Sequence, residues 1–144
     1  MTSVTEIAQI ERAVKGKIYP PGTTLIQVSA VKSGIRENIF KYLEEPGEVE
    51  DKYACLIPDE SIIRPIVFHG LIDIAIDGFL HRFVSGMNLQ MKDFRFLTIP
   101  IPSREEQLET EKDILEINKQ KKIYEESIKN WEKMKEIMMD LMFC

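Results

Sequence analysis

The sequence predicts an α+β fold: one compact mixed domain over residues 1–102, followed by one long C-terminal coiled-coil-type helix over residues 103–144. Three observations predict it. The composition changes at Ile99-Pro100-Ile101-Pro102-Ser103-Arg104-Glu105-Glu106, where two prolines enforce extended backbone and Ser103 with Glu106 three residues later forms a capping box. The stretch beyond it contains neither Gly nor Pro and is rich in Glu, Lys, Ile and Met. Before it, short strand-like runs surround one longer helical run, and 144 residues with 44% hydrophobic content suffice for one core plus an appendage.

Along the first domain, Thr24-Leu25-Ile26-Gln27-Val28-Ser29-Ala30 reads as a strand after the turn Tyr19-Pro20-Pro21-Gly22. Tyr53 to Ile57 reads as a second strand, ending at Pro58. Pro65 suits the first turn of a helix running to about Phe83. The alternation Ile72-Asp73-Ile74-Ala75-Ile76-Asp77 also suits a strand and Gly78 weakens a helix, but the run is long for one strand. Two further strands are expected at Met87–Met91 and Phe94–Ile99.

The final helix is on the order of 60 Å long at ~1.5 Å per residue. Ile114, Ile117, Tyr124, Ile128, Trp131, Met138 and Met142 follow alternating three- and four-residue steps, with Lys121 and Lys135 in the intervening seam positions. Glu109 with Lys112, Glu116 with Lys119, Glu125 with Lys129 and Glu132 with Lys135 are spaced as surface ion pairs, each contributing only ~0.2–0.5 kcal/mol. About one hundred residues of core cannot cover such a helix along its length, so part of its stripe is expected to meet another helix, making the chain a homodimer.

The formal net charge is −5, which disfavours phosphate binding when taken as one number. Its distribution is uneven. Residues 1–43 hold Arg12, Lys15, Lys17, Lys32, Arg36 and Lys41 against Glu6, Glu11 and Glu37, whereas residues 44–60 hold seven carboxylates against Lys52. Charged residues interrupt every apolar stretch well short of the ~20 residues of a membrane span, and residues 1–15 lack the apolar centre of a signal peptide. A cytoplasmic protein with no membrane partner is expected. Cys55 and Cys144 make neither a disulfide framework nor a metal spacing.

Signals for catalysis are thin. His69 and His81 stand twelve residues apart without a Cys or acidic residue at ligand spacing, and no metal is expected. Asp59-Glu60 near Arg64, and Asp73 with Asp77, lack the following lysine of a nuclease site. Neither the phosphate-loop nor the dinucleotide glycine motif occurs, so no cofactor and no enzymatic activity are expected. Three loop-like segments instead combine cations with Gly, Ser, Asn or an aromatic ring: Lys15-Gly16-Lys17-Ile18-Tyr19, Lys32-Ser33-Gly34-Ile35-Arg36-Glu37-Asn38, and His81-Arg82-Phe83-Val84-Ser85-Gly86-Met87-Asn88. Such groups suit phosphate and base-edge contacts. Lys15, Lys17, Tyr19, Lys32, Ser33, Arg36, Arg82, Ser85 and Asn88 are the DNA-binding candidates.

Three stretches resemble the target-recognition domain of type I restriction-modification specificity subunits. They are Glu6–Ala13 with Gly16–Pro20 and Thr24–Ala30, then Phe79–Phe83 with Gly86–Gln90, and Ile99-Pro100-Ile101-Pro102-Ser103-Arg104-Glu105-Glu106-Gln107 before the long helix. The resemblance implies a subunit that binds double-stranded DNA sequence-specifically and recruits modification subunits carrying adenine methyltransferase chemistry, with restriction subunits optionally joining. Full-length members have two recognition domains separated by two long antiparallel helices. One domain and one helix correspond to a half-subunit, which as a homodimer would read a palindromic split site. The acidic balance keeps two alternatives open: a relative that pairs with modification or specificity subunits and binds little DNA, and an unrelated coiled-coil module with a ligand-binding head.

Overall fold

The computed structural model describes residues 1–31 and 36–143, with Arg36 and Phe143 described by backbone alone. Two compact units result, Met1–Leu108 and Glu109–Cys144. The first is mixed α+β. Its elements in order are β1 (Thr2–Ser3), α1 (Val4–Ile7), β2 (Ala8–Arg12), β3 (Thr24–Gln27), α2 (Arg36–Ile39), β4 (Phe40–Tyr42), β5 (Tyr53–Pro58), α3 (Pro65–Phe83), a 3-10 helix (Met91–Phe96), β6 (Thr98–Ile99) and the start of α4 (Arg104–Phe143).

Four strands form an antiparallel sheet in the order β2-β5-β3-β4, and β1 pairs with β6 in a separate two-stranded ribbon. β5 is central and apolar on both faces. Ala54 and Leu56 point into the larger core with Ile26, Val67, Phe68, Ile72, Ile76, Phe79 and Phe94, while Tyr53 and Cys55 point the other way into a smaller cluster with Ala13, Tyr19, Leu25 and Val49. The period-two alternation of a strand therefore serves two cores, which explains the unbroken apolar run Tyr53–Ile57. A helix, α3, covers one face. The loops after β2 and β4 cover the other, joined where Tyr19 and Gly47 exchange backbone hydrogen bonds.

α3 has Pro65 in its first turn and buries Val67, Phe68, Ile72, Ile76 and Phe79, whereas Ile74 is 82% exposed. That spacing is helical, so the Ile72–Asp77 alternation is incidental. Gly22 permits a close approach beside it. At φ 89° it adopts a left-handed conformation, and a Cβ there would lie 2.8 Å from the Cβ of Pro65.

The expected strands at Met87–Met91 and Phe94–Ile99 are corrected by the structure. Residues 85–88 form a turn with Gly86 at φ 63°, closed by mutual backbone hydrogen bonds between Ser85 and Asn88. Only Thr98–Ile99 is a strand, because Phe94, Leu97 and Ile99 are the buried residues and Phe96 is 49% exposed. A three-residue step from Phe94 to Leu97 suits a 3-10 turn, and Leu97 N–H donates to the Phe94 carbonyl at 3.0 Å.

α4 begins where the sequence requires. Glu106 N–H donates to Ser103 Oγ at 3.2 Å, the N-cap bond of the capping box. Its first turns belong to the first unit through Gln107, which is 2% exposed. The Gln107 Oε1 accepts from Arg64 N–H, and its Nε2 donates to the carbonyls of Ile62 and Pro102, each at 3.0 Å. No helix among the described residues is long and apolar enough to cross a membrane.

Candidate nucleic-acid interface

Strand register gathers the basic segments. β2 and β3 each run antiparallel to β5, and their last residues, Arg12 and Gln27, lie opposite Ala54 and Tyr53. The chain therefore leaves both strands at the same end of the sheet. Ala13 N–H donates to the Tyr53 carbonyl and Val28 N–H to the Lys52 carbonyl. α2 lies at this end too, since Phe40 pairs with Ile26 and the Tyr53 hydroxyl donates to the Asn38 carbonyl at 2.5 Å. The turn after α3 joins them: Leu89 N–H donates to the Val28 carbonyl, Val31 N–H to the Met87 carbonyl, and Asn88 Oδ1 accepts from Ala30 N–H at 3.1 Å.

One end of the sheet thus carries Lys15, Lys17, the backbone of Arg36, Ser85 and Asn88, with Arg82 in the last turn of α3 just before them. Lys32 and Ser33 lie outside the described residues, as does the Arg36 side chain. Asn88 has a structural task, because its side chain holds Ala30 at φ 55°, a left-handed conformation strained for a residue with a Cβ.

Tyr19 is a correction. It is fully buried in the smaller core, and its hydroxyl accepts from Val14 N–H at 2.9 Å, so it has no surface to offer DNA. The turn chemistry of Tyr19-Pro20-Pro21-Gly22 suggested exposure, but the loop folds back over the sheet.

The electrostatics of this end are mixed. Lys17 forms an ion pair with Glu11, which holds its ammonium pKa above the ordinary value. Lys15 lines a shallow groove with Gly16, Glu48, Val49, Glu50 and Asp51. Arg12 Nε donates to the Asp51 carbonyl at 2.7 Å, and Lys52 lies 3.5 Å from Glu50. The acidic segment that looked separate in sequence folds beside the first basic loop.

Next to this end lies a pair of cations without carboxylate partners among the described residues. Arg82 and Arg95 are exposed, and each guanidinium lies over a phenylalanine ring, Phe83 at 5.4 Å and Phe96 at 4.6 Å. The two rings stack on one another at 5.3 Å with planes 2° apart. Sequence reading missed Arg95 and Phe96 because they fell within an expected strand; the signal was the repeated Arg-Phe pair.

Three titratable or nucleophilic side chains of the first unit have defined surroundings. His69 Nδ1 lies 3.2 Å from Thr24 Oγ1, and its ring stacks on Phe40 at 4.2 Å. Asp59 accepts from Ser61 N–H at 3.0 Å and Ser61 Oγ at 2.7 Å, an Asx turn that keeps its carboxyl below the ordinary pKa. Cys55 is buried, and desolvation pushes its thiol up to about 11. Among the described residues no cluster of three or more His, Cys, Asp or Glu side chains is placed to hold a metal.

The second unit is helical and exposes apolar side chains along its length. Ile114 is half-buried, whereas Ile117, Tyr124, Ile128, Trp131, Met138 and Met142 are exposed. Leu115, Ile123, Met134, Ile137, Met139 and Leu141 are also exposed, so the stripe broadens toward the C-terminal end. Trp131, Met134, Met138, Met139 and Met142 line an apolar groove there with Lys135. Compared with models of known protein families, with curated proteins and with solved structures, the chain has no significant match.

Proposed function

We propose that this chain is a DNA-reading half-subunit of the type I specificity kind. Its α+β head contacts duplex DNA, and its long helix pairs with a second copy and offers a scaffold for modification subunits. The observation that carries the reading is the gathering of the described parts of separate basic loop segments at one end of the sheet, in a chain whose other unit is a helix with an exposed apolar stripe. Loops held by a scaffold suit base-edge and phosphate contacts, and an amphipathic helix suits partner-helix packing. The chemistry resides in the partner. Methylating a base within a duplex requires an extruded base in a catalytic pocket, and this chain supplies recognition and spacing.

One observation favours a second reading, a module that pairs with modification or specificity subunits and reads little DNA. Lys17 is paired with Glu11, and Lys15 lies beside Glu48, Glu50 and Asp51. Gel shifts with random duplexes at low salt, with and without a modification subunit, separate the two. The first reading expects binding that weakens steeply with salt; absence of any shift, together with a stable complex with the modification subunit, favours the second. Methyl transfer from a labelled donor is expected only when chain, modification subunit and DNA are combined. Label incorporated by the chain alone overturns both readings.

A further inference from the structure

We infer that Arg82, Phe83, Phe96 and Arg95 form a rigid plate that grips the phosphate backbone of double-stranded DNA. This inference rests on the DNA-reading function proposed above and assigns it a contact surface that the basic loops alone do not supply. Two elements build the plate. The last turn of α3 presents Arg82 and Phe83, and the end of the 3-10 helix presents Arg95 and Phe96. Phe83 and Phe96 are nearly parallel at 2° and 5.3 Å, and each carries its neighbouring guanidinium, at 5.4 and 4.6 Å.

This arrangement differs from an ordinary pair of surface arginines. A ring beneath a guanidinium restrains its plane, so less side-chain entropy remains to be lost on binding, while the N–H fork stays available for two phosphate oxygens. Phe96 is 49% exposed although Phe94, two residues before it, is fully buried, so the core does not explain its ring; support of Arg95 and Phe83 does. Lys92 is exposed on the same 3-10 helix and adds charge, opposed locally by the half-buried Asp93. Neither Arg82 nor Arg95 has a carboxylate partner among the described residues, in contrast to Lys17 and Lys52.

Duplex DNA fits this plate better than an acidic peptide for two reasons. Guanidiniums restrained over their rings suit phosphates regularly spaced on a stiff backbone, whereas a flexible chain gains little from such order. The plate is also continuous with the loop end of the sheet, since Phe83 leads through Val84 into the Ser85–Asn88 turn, which together with Leu89 hydrogen-bonds to Val28, Ala30 and Val31. DNA held at the plate thereby meets the gathered loops.

The test uses the full chain, a fluorescent random-sequence duplex and a salt titration read by anisotropy. The double variant R82A/R95A is expected to bind at least about tenfold more weakly at low salt, with the slope of log K against log salt reduced by about two, one for each phosphate contact. R95K, which retains charge but loses the planar fork, is expected to bind more weakly with nearly the wild-type slope. Wild-type affinity and slope in R82A/R95A overturn the plate while leaving the proposed function standing. Failure of the wild type to bind duplex in the same buffer overturns both. Binding of polyglutamate as tight as duplex, lost in R82A/R95A, identifies an acidic-peptide surface and overturns the assignment to DNA.

Discussion

Replacing Gln107 should unfold the first unit more readily than any other single change in α4. Its side-chain amide is 2% exposed and makes three hydrogen bonds of 3.0 Å, to Arg64 N–H and to the carbonyls of Ile62 and Pro102. Gln107→Leu keeps most of the volume but removes every partner. A net hydrogen bond contributes ~1 kcal/mol and a buried group left unsatisfied costs ~1–3 kcal/mol. Arg64, Ile62 and Pro102 are half-buried, so water rescues part of the loss. About 2–4 kcal/mol of destabilisation remains, on the order of 10–20 °C in Tm for a domain of this size. Ser103→Ala, which removes the N-cap acceptor of Glu106 N–H, should cost only ~1 kcal/mol.

The assay must follow the correct unit. Trp131, the single tryptophan, lies in the second unit, so its emission does not report the head. Near-ultraviolet circular dichroism of the buried Tyr19 and Tyr53 does. Gln107→Glu sharpens the test because a carboxylate would present oxygens to two carbonyls, raising the folded-state pKa of the introduced carboxyl above its unfolded value. Stability of that variant relative to wild type is then greatest below the unfolded carboxyl pKa of ~4.3 and is lost as pH rises toward the folded one. A Gln107→Leu midpoint within about 2 °C of wild type would refute the reasoning.

Three further outcomes follow from particular side chains. Tyr19→Phe removes the acceptor of Val14 N–H and should cost ~1 kcal/mol in thermal unfolding without changing DNA affinity; weaker DNA binding at unchanged stability would return Tyr19 to the interface. Cys55, with its pKa raised to about 11, should resist alkylation at pH 8 until the chain is denatured, as read by peptide mass spectrometry. Its unfolded thiol ionises from about pH 9 while the folded one stays neutral, so its contribution to stability is lost between pH 9 and 11, and native alkylation at the denatured rate would contradict its burial. Trp131 is 70% exposed on the isolated helix, so its emission should move to the blue as concentration rises, and W131E/M138E should sediment as a monomer; a dimer in that variant would remove the stripe from the interface.

What the sequence made legible was whatever a local rule specifies. Pro65 marks the start of α3, and Ser103 with Glu106 marks that of α4, because caps and proline act within one turn. β3 and β5 were readable as apolar runs, although the expected strand Thr24–Ala30 ends at Gln27, before the left-handed Ala30. The short β1, α1, β2, α2 and β4 were not expected as elements, since two to five residues carry too little periodicity, and pairing between distant segments makes them. The order β2-β5-β3-β4 and its antiparallel pairings were equally hidden, although together they determine which loops share an end.

The two aromatic residues most relevant to the interface show where the limit lies. Tyr19 follows a lysine-glycine segment and precedes Pro20-Pro21-Gly22, every local sign of an exposed loop, yet its exchange of backbone hydrogen bonds with Gly47 folds it under the sheet at zero exposure. Phe96 sits in the run Phe94–Ile99 expected as a strand, in which period-two alternation would put Phe96 on the same face as Phe94. The 3-10 turn instead buries Phe94, Leu97 and Ile99 and turns Phe96 outward beneath Arg95. Charge obeys the same logic. Lys17 belongs to the basic excess of residues 1–43 but is paired with Glu11 across the β2 loop, whereas Arg95, outside that stretch, keeps its guanidinium free of carboxylates among the described residues. On the proposed reading, phosphate binding depends on which cations the fold leaves without partners rather than on how many the sequence contains, and a net charge of −5 does not preclude such a local surface.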